Sequence, residues 1–205
     1  DIALAKGTRI PYQVHAHGPI TALLLAGRAE VTLYGKRCTV EAGDLVQAEP
    51  FLPFGFHFLE SGVLRVICHG VDAARICRER QQITEQGGAQ REALLAELNR
   101  REGIRLLPEP AAAAVEKGEL PEISPRGTAQ ETFPLHGVTC RLRAGRWQLG
   151  GEAELWAYDL EPGKRLSSAP LPMLPTLALV EAGSVQVGAH GTQRTAKAGG
   201  VLWFP

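Results

Sequence analysis

Residues 21–44, TALLLAGRAEVTLYGKRCTVEAGD, and residues 177–200, LALVEAGSVQVGAHGTQRTAKAGG, carry the same punctuation. Laid over one another without a gap, Ala22 falls on Ala178, Leu23 on Leu179, and Ala26-Gly27 on Ala182-Gly183. Farther along, Val31 meets Val187, Gly35 meets Gly191, Thr39 meets Thr195, and Ala42-Gly43 meets Ala198-Gly199. Working outward, Pro19 falls on Pro175, Arg9 on Arg165 and Gly7 on Gly163, so one offset of 156 residues holds from Gly7 to Gly43. Self-similarity of this kind marks an internal duplication. Many of the shared residues are glycines, so it is the turns that repeat in register.

Each copy reads as β structure. Ala22 to Ala26 is a short apolar run ended by Gly27, Glu30 to Tyr34 alternates, and Gly35-Lys36 turns the chain. Lys36 to Val40 returns, and Glu41 to Asp44 turns again before Leu45-Val46. The second copy does the same with Leu177 to Val180, Ser184 to Val187 and Val201 to Phe204. Short strands punctuated by glycine argue for a sandwich or small barrel. Between the copies the period changes. Asp72 is a good N-cap, and residues 73–85 are helix-like with Ile76 and Ile83 on one face. A second helix is expected over about 89–101 with Leu94, Leu95 and Leu98 inward, and Gly103 at a left-handed cap. The arginines and glutamates of these helices, Arg75, Arg78, Glu79 and Arg80, read as a solvated face. Pro108 to Gly127 is rich in Pro, Ala and Glu and reads as a linker. Strand patterns return from Thr128. The expected organisation is therefore 1–71, a first β domain; 72–127, helices and linker; and 128–205, a second β domain.

Composition excludes several classes. Twenty-two basic and 22 acidic residues cancel in a chain of 205, so no net field favours nucleic acid or an anionic membrane. No apolar run approaches the roughly 20 residues that span a bilayer. The opening residues do not resemble a signal peptide. Cys38, Cys68, Cys77 and Cys140 show no CxxC spacing and read as reduced thiols. These features predict a cytoplasmic location. No GxGxxG, P-loop or nucleophile elbow is present. Strands preceding Gly163 have no counterpart before Gly7, and those following Pro50 have none after Pro205. This predicts either that the chain is part of a longer protein or that the halves lend each other strands.

The chain resembles the cupin superfamily, and specifically a two-cupin protein, on several residues. They are Gly7, His15-Ala-His17 and the strand ending at Gly27, then Gly43-Asp-Leu-Val-Gln-Ala-Glu-Pro50 with Pro53-Phe-Gly-Phe-His57. In the second copy they are Leu160-Glu-Pro-Gly163, Glu181-Ala-Gly183 and Ala198 to Pro205. Gly103-Ile-Arg-Leu-Leu-Pro108 resembles the tail of some bacterial single cupins. The resemblance implies a mainly β fold, with two cupin-type double-stranded β-helix (jelly-roll) barrels and a helical segment between them.

It also implies a place for a metal. His15 and His17 are two apart on a strand and so share a face; with His57 they would make a three-histidine set for divalent Fe, Mn, Ni or Zn. The sequence departs from the family at that point. No Glu or Asp lies between His17 and Gly27, and the family's glutamate position falls near Ile20 or Thr21. Counting back from Gly27 lands the ligand positions on Val14 and Ala16, one residue off, which reverses the face unless a bulge restores it. Counting on from Gly43 lands on Phe54, not His57. In the second copy Leu171 and Met173 replace the histidines, which leaves that half without metal ligands. His69, His136 and His190 read as loop or surface residues. Phe51, Phe54, Phe56 and Phe58 cluster; the first three either line an apolar ligand pocket or fill the core.

The favoured expectation is a small-molecule-binding or regulatory cupin with incomplete metal motifs, either metal-free or holding a divalent ion in its first half. One alternative is a metal-dependent dioxygenase or isomerase using His15, His17 and His57. A second is the ligand-sensing part of a transcription regulator, although no helix-turn-helix pattern appears. A small molecule is the expected partner, with no nucleic acid or membrane, and exposed strand edges suggest a homodimer.

Overall fold

The computed structural model describes residues 1–68, 72–129, 131–135, 138–145, 154–164, 176–189 and 192–204. His69, His136, His190, Leu171 and Met173 lie outside them. The described residues fall into two compact units, Asp1–Leu135 with Thr139–Asp159 and His136–Val138 with Leu160–Pro205.

The first unit is built on two sheets. One contains β1 (Ile2–Leu4), β3 (Ile20–Ala26), β6 (Leu45–Ala48), β8 (Gly62–Cys68) and β11 (Ile123–Ser124), in the order β1-β8-β3-β6-β11. The other contains β2 (Arg9–His15), β4 (Arg28–Leu33), β5 (Lys36–Glu41), β7 (Phe54–Phe58), β9 (Ile104–Leu106) and β10 (Ala113–Ala114), in the order β10-β5-β4-β7-β2-β9. Alternation decides which side chains meet between the sheets. Ile20, Ala22, Leu24 and Leu64 from the first sheet pack on Ala29, Val31, Leu33, Val40, Phe54, Phe56 and Phe58 from the second. Ala29, Val31, Leu33, Val40 and Phe58 are fully enclosed. Removing that apolar surface from water is the main force holding the sheets face to face.

Two further layers close the unit. On the outer side of the first sheet, Leu23 and Leu45 pack with Ala144 of β13 (Val138–Ala144) and Leu155 of β14 (Leu155–Leu160). These strands form a three-stranded sheet with β12 (Glu131–Leu135). The Pro/Ala-rich stretch expected to be a linker is knitted into the sandwich. Its β10 pairs in parallel with β5, its β11 pairs with β6, and Leu120 and Ile123 enter the core. Two helices, α1 (Ala73–Gln86) and α2 (Arg91–Arg101), intervene between β8 and β9. Asp72 caps α1, its carboxylate accepting from the Arg75 amide at 2.9 Å. Gly103, with φ of +63°, follows α2. No helix among the described residues is long and apolar enough to cross a membrane.

The second unit contains two antiparallel pairs, β15 (Thr176–Leu179) with β18 (Val201–Phe204), and β16 (Ser184–Ala189) with β17 (Thr192–Lys197). Their register reproduces the first copy residue for residue. Leu177 faces Trp203 as Thr21 faces Gln47, and Leu179 faces Val201 as Leu23 faces Leu45. Val187 faces Arg194 as Val31 faces Cys38, and Ser184 faces Lys197 as Arg28 faces Glu41. Even the turn bonds correspond. Gly43 donates to the Leu24 carbonyl at 2.7 Å, and Gly199 donates to the Val180 carbonyl at 2.8 Å.

Candidate ligand site

A break in β2 decides what the first unit presents at one end of its sandwich. Arg9 faces His57 and Ile10 faces Phe56, but the next aligned pair is Gln13 with Phe54. Pro11 and Tyr12 together therefore stand opposite Gly55, which makes a β-bulge. Proline is tolerated there because a bulged residue owes no ladder hydrogen bond. Gly55 is needed because a Cβ on it would come within 3.1 Å of the Tyr12 Cα. The bulge reverses the phase of the strand. Ile10 points inward before it; Gln13 and His15 point inward after it.

His15 thus lies on the inner side. Its ring packs against Phe54 with centroids 5.4 Å apart, and its Nε2 is sealed from water with no hydrogen-bond partner. Burial, with the nearby positive charge of Arg80, pulls its pKa from the ordinary 6.5 to about 4. It is a neutral imidazole at physiological pH.

The other two candidate histidines stand elsewhere. His17 is beyond the end of β2 and exposed, lying against Gly103 so closely that a Cβ on Gly103 would come within 2.5 Å of its Nε2. His57 alternates with Phe56 and Phe58 and therefore projects from the outer face of its sheet. There its Nδ1 lies 3.5 Å from Glu30 Oε2, in a small groove shared with Arg9, Tyr12, Arg37 and Glu109. The three-histidine set is not brought together. Among the described residues, no three His, Cys, Asp or Glu side chains are grouped as metal ligands.

The phenylalanines divide as well. Phe54 and Phe56 are each 5% exposed and pack edge to face at 6.3 Å, so they fill the core. Phe51 is 68% exposed at a left-handed φ of +66°, although its amide donates to the His15 carbonyl at 2.8 Å. The buried Asp44 is a structural carboxylate. It accepts from the Glu41 and Arg126 amides at 2.8 Å each and from Lys117 at 2.5 Å. Cys38 and Cys68 have thiols pushed up to about 11, chiefly by burial, which leaves them protonated and poor nucleophiles.

The helices contribute two residues whose role the sequence did not announce. Arg80 was expected on the solvated face, but it sits within the apolar stripe, four residues after Ile76 and three before Ile83. Its Nη2 donates to Asn99 Oδ1 at 2.6 Å, and its Nε is buried with no acceptor. Asn99 is itself buried, on a face of α2 running through Leu95, Leu98 and Glu102 rather than Leu94, which is exposed. The spacing of Arg80 from the two isoleucines was the available signal. Gln13 adds a buried carboxamide whose Oε1 has no partner. The sandwich interior is thus apolar and edged by an inward imidazole and a carboxamide, those of His15 and Gln13. Such a group can accept and donate hydrogen bonds to a polar ligand; it offers one nitrogen ligand to a metal.

Comparison with known proteins agrees with this fold. Residues 1–70 match the Cupin domain family. No curated protein matches the chain by sequence. Among solved structures, an arginine-to-alanine mutant of Bacillus subtilis oxalate decarboxylase aligns at a TM-score of 0.56 and 20% identity. The alignment covers 99% of this chain and 61% of the other. The same enzyme at pH 4.6 aligns at 0.53 and 20%, covering 99% and 60% respectively. A further structure of it, concerned with its Mn(II) centers, aligns at 0.50 and 20%, covering 99% and 61%. The chain spans about three-fifths of the length of these proteins, with which it shares a fold.

Proposed function

We propose that the first unit is a small-molecule-binding cupin domain whose ligand is held without a metal, at the end of the sandwich where Gln13 and His15 turn inward. The observation that carries this reading is the inward His15, whose Nε2 is buried and unpaired. A buried polar atom left without a partner costs about 1–3 kcal/mol, a cost that is offset where a ligand supplies the partner. The donor set does not fit the metal centre associated with the fold. A facial site needs several nitrogen or oxygen ligands converging on one point. Here strand alternation turns His57 away, His17 lies outside, and the interior is otherwise lined by aliphatic and phenyl groups.

The test pairs metal analysis with ligand screening on the intact chain. Protein grown in medium supplemented with Mn, Fe, Ni and Zn should retain well under one equivalent of metal and gain no thermal stability from any of them. A screen of small polar metabolites should find at least one that raises the melting temperature, with the gain lost in His15→Leu. Stoichiometric metal that disappears in both His15→Ala and His57→Ala would overturn the reading in favour of the dioxygenase or isomerase alternative.

A further inference from the structure

In the first unit two central strands are paired on both sides. β3 lies between β6 and β8, and β4 lies between β5 and β7. Their counterparts in the second unit keep one partner each. β15 pairs with β18 and β16 with β17, and among the described residues no strand takes the other edge of either. These are the places that β7 and β8 hold in the first copy. The interior shows the same difference. Ala22, Leu24, Ala29 and Val31 are at most 3% exposed, with Leu64 opposite Leu24, Phe58 opposite Ala29 and Phe56 opposite Val31. Their equivalents Ala178, Val180, Val185 and Val187 are only half-buried. The two edges also lack the devices that keep strands from pairing with other chains. Thr176–Leu179 and Ser184–Ala189 contain no charged residue and no proline.

From this pattern we infer that the second unit docks one strand–turn–strand segment of a partner polypeptide, which adds to the edges of β15 and β16 together. In the first copy β7 and β8 are consecutive strands separated only by residues 59–61, so a single segment serves both sheets. A partner segment of the same build would reach both edges at once. Backbone groups along the edges supply affinity, and side chains at alternate positions supply specificity. Those facing the interior must be apolar. They must also be large on the strand that joins β16, because Val185 and Val187 stand where Ala29 and Val31 meet phenyl rings. A second copy of this chain does not meet these needs. Its own β7 and β8 are enclosed in its first sandwich, with Phe58 fully buried and Leu64 1% exposed. Pairing of β15 with β15 between two copies would leave the edge of β16 and the interior as they are.

The experiment adds a peptide of residues 53–68, which carries β7 and β8, to the full chain and follows backbone hydrogen exchange by mass spectrometry. The probe suits the site because β15 and β16 keep the register of β3 and β4. One peptide per chain should slow exchange at both Thr176–Leu179 and Ser184–Ala189 by about tenfold or more, as new ladder bonds require. Exchange in β3 and β4, already paired on both sides, should not change. A peptide carrying Phe56→Ser and Phe58→Ser should bind at least about tenfold more weakly, since it has less apolar surface to bury. Slowing at one strand alone, or at neither, would overturn the docking of a single segment. Equal binding of the two peptides would overturn it too, because backbone pairing would then suffice. Protection that is present without peptide and grows with protein concentration would assign the edges to a second copy and overturn the partner segment.

Discussion

His15 carries most of the chemistry because one imidazole is asked to sit among phenyl and aliphatic groups. Its depressed pKa is also a statement about stability. Between pH 6.5 and about 4 the unfolded chain binds a proton at this position and the folded chain does not. Stability therefore rises with pH through that window, and acid removes the contribution. The expected loss is on the order of 1–2 kcal/mol, discounted for the partial solvent contact of the ring. Urea unfolding at pH 7 and pH 4.5 measures it. His15→Leu should flatten the difference between the two pH values, and an unchanged pH slope in that variant would show that other groups set the acid response. Reading His15 as a candidate needed only its place in an alternating strand. Its surroundings could not be read, because the ring it packs against, Phe54, comes from a strand elsewhere in the sequence.

At the scale of elements, the turns and the bulge do different work. The β4–β5 hairpin turns at Tyr34 and Gly35, both with positive φ, as a tight two-residue hairpin requires. A Cβ on Gly35 would meet nothing within 4 Å, so Gly35→Ala bears only backbone strain, about 1 kcal/mol. Gly27 has φ of +87° and is also closely approached; a Cβ there would lie 2.6 Å from the Ser61 carbonyl and 2.8 Å from the Gly62 Cα. Gly27→Ala should therefore cost roughly 2–4 kcal/mol, since backbone must move as well. Denaturation midpoints of the two variants give the comparison, and equal losses would remove close packing as the cause. Strand order around these glycines was legible, because glycine spacing and alternation repeat twice. The face of β2 was not. Counting back from Gly27 to Val14 and Ala16 carries the phase through the irregularity between Leu24 and Ala26 and through the β2–β3 turn, whereas the structure turns Gln13 and His15 inward. Pro11 inside the strand pattern was the clue, since proline there implies an edge or a bulge. The packing of residues 108–127 is hidden in the sequence for a different reason. Pro- and Ala-rich composition hides single anchors such as Leu120 and Ile123, which pack without any periodic neighbour.

For the whole molecule, duplication of pairing is not duplication of environment. Val31 and Val187 occupy equivalent places in equivalent hairpins, but Val31 is fully buried and Val187 only half-buried. Val31→Ala should cost about 2 kcal/mol and Val187→Ala well under 1 kcal/mol. Guanidinium unfolding of both variants tests this, and equal costs would mean that the second copy encloses its hairpin as tightly as the first. The repeat also sets a folding hazard. Because both copies keep one register, β3 has two complementary partners in the same chain, its own β6 and the decoy β18, and the backbone cannot tell them apart. Discrimination falls to side chains such as Thr21 and Gln47 against Leu177 and Trp203, where a crossed pairing would set polar against apolar. Chains carrying such twin edges are prone to mispairing when both are exposed together. Closing the first sandwich before the second copy leaves the ribosome withdraws β6 from the competition.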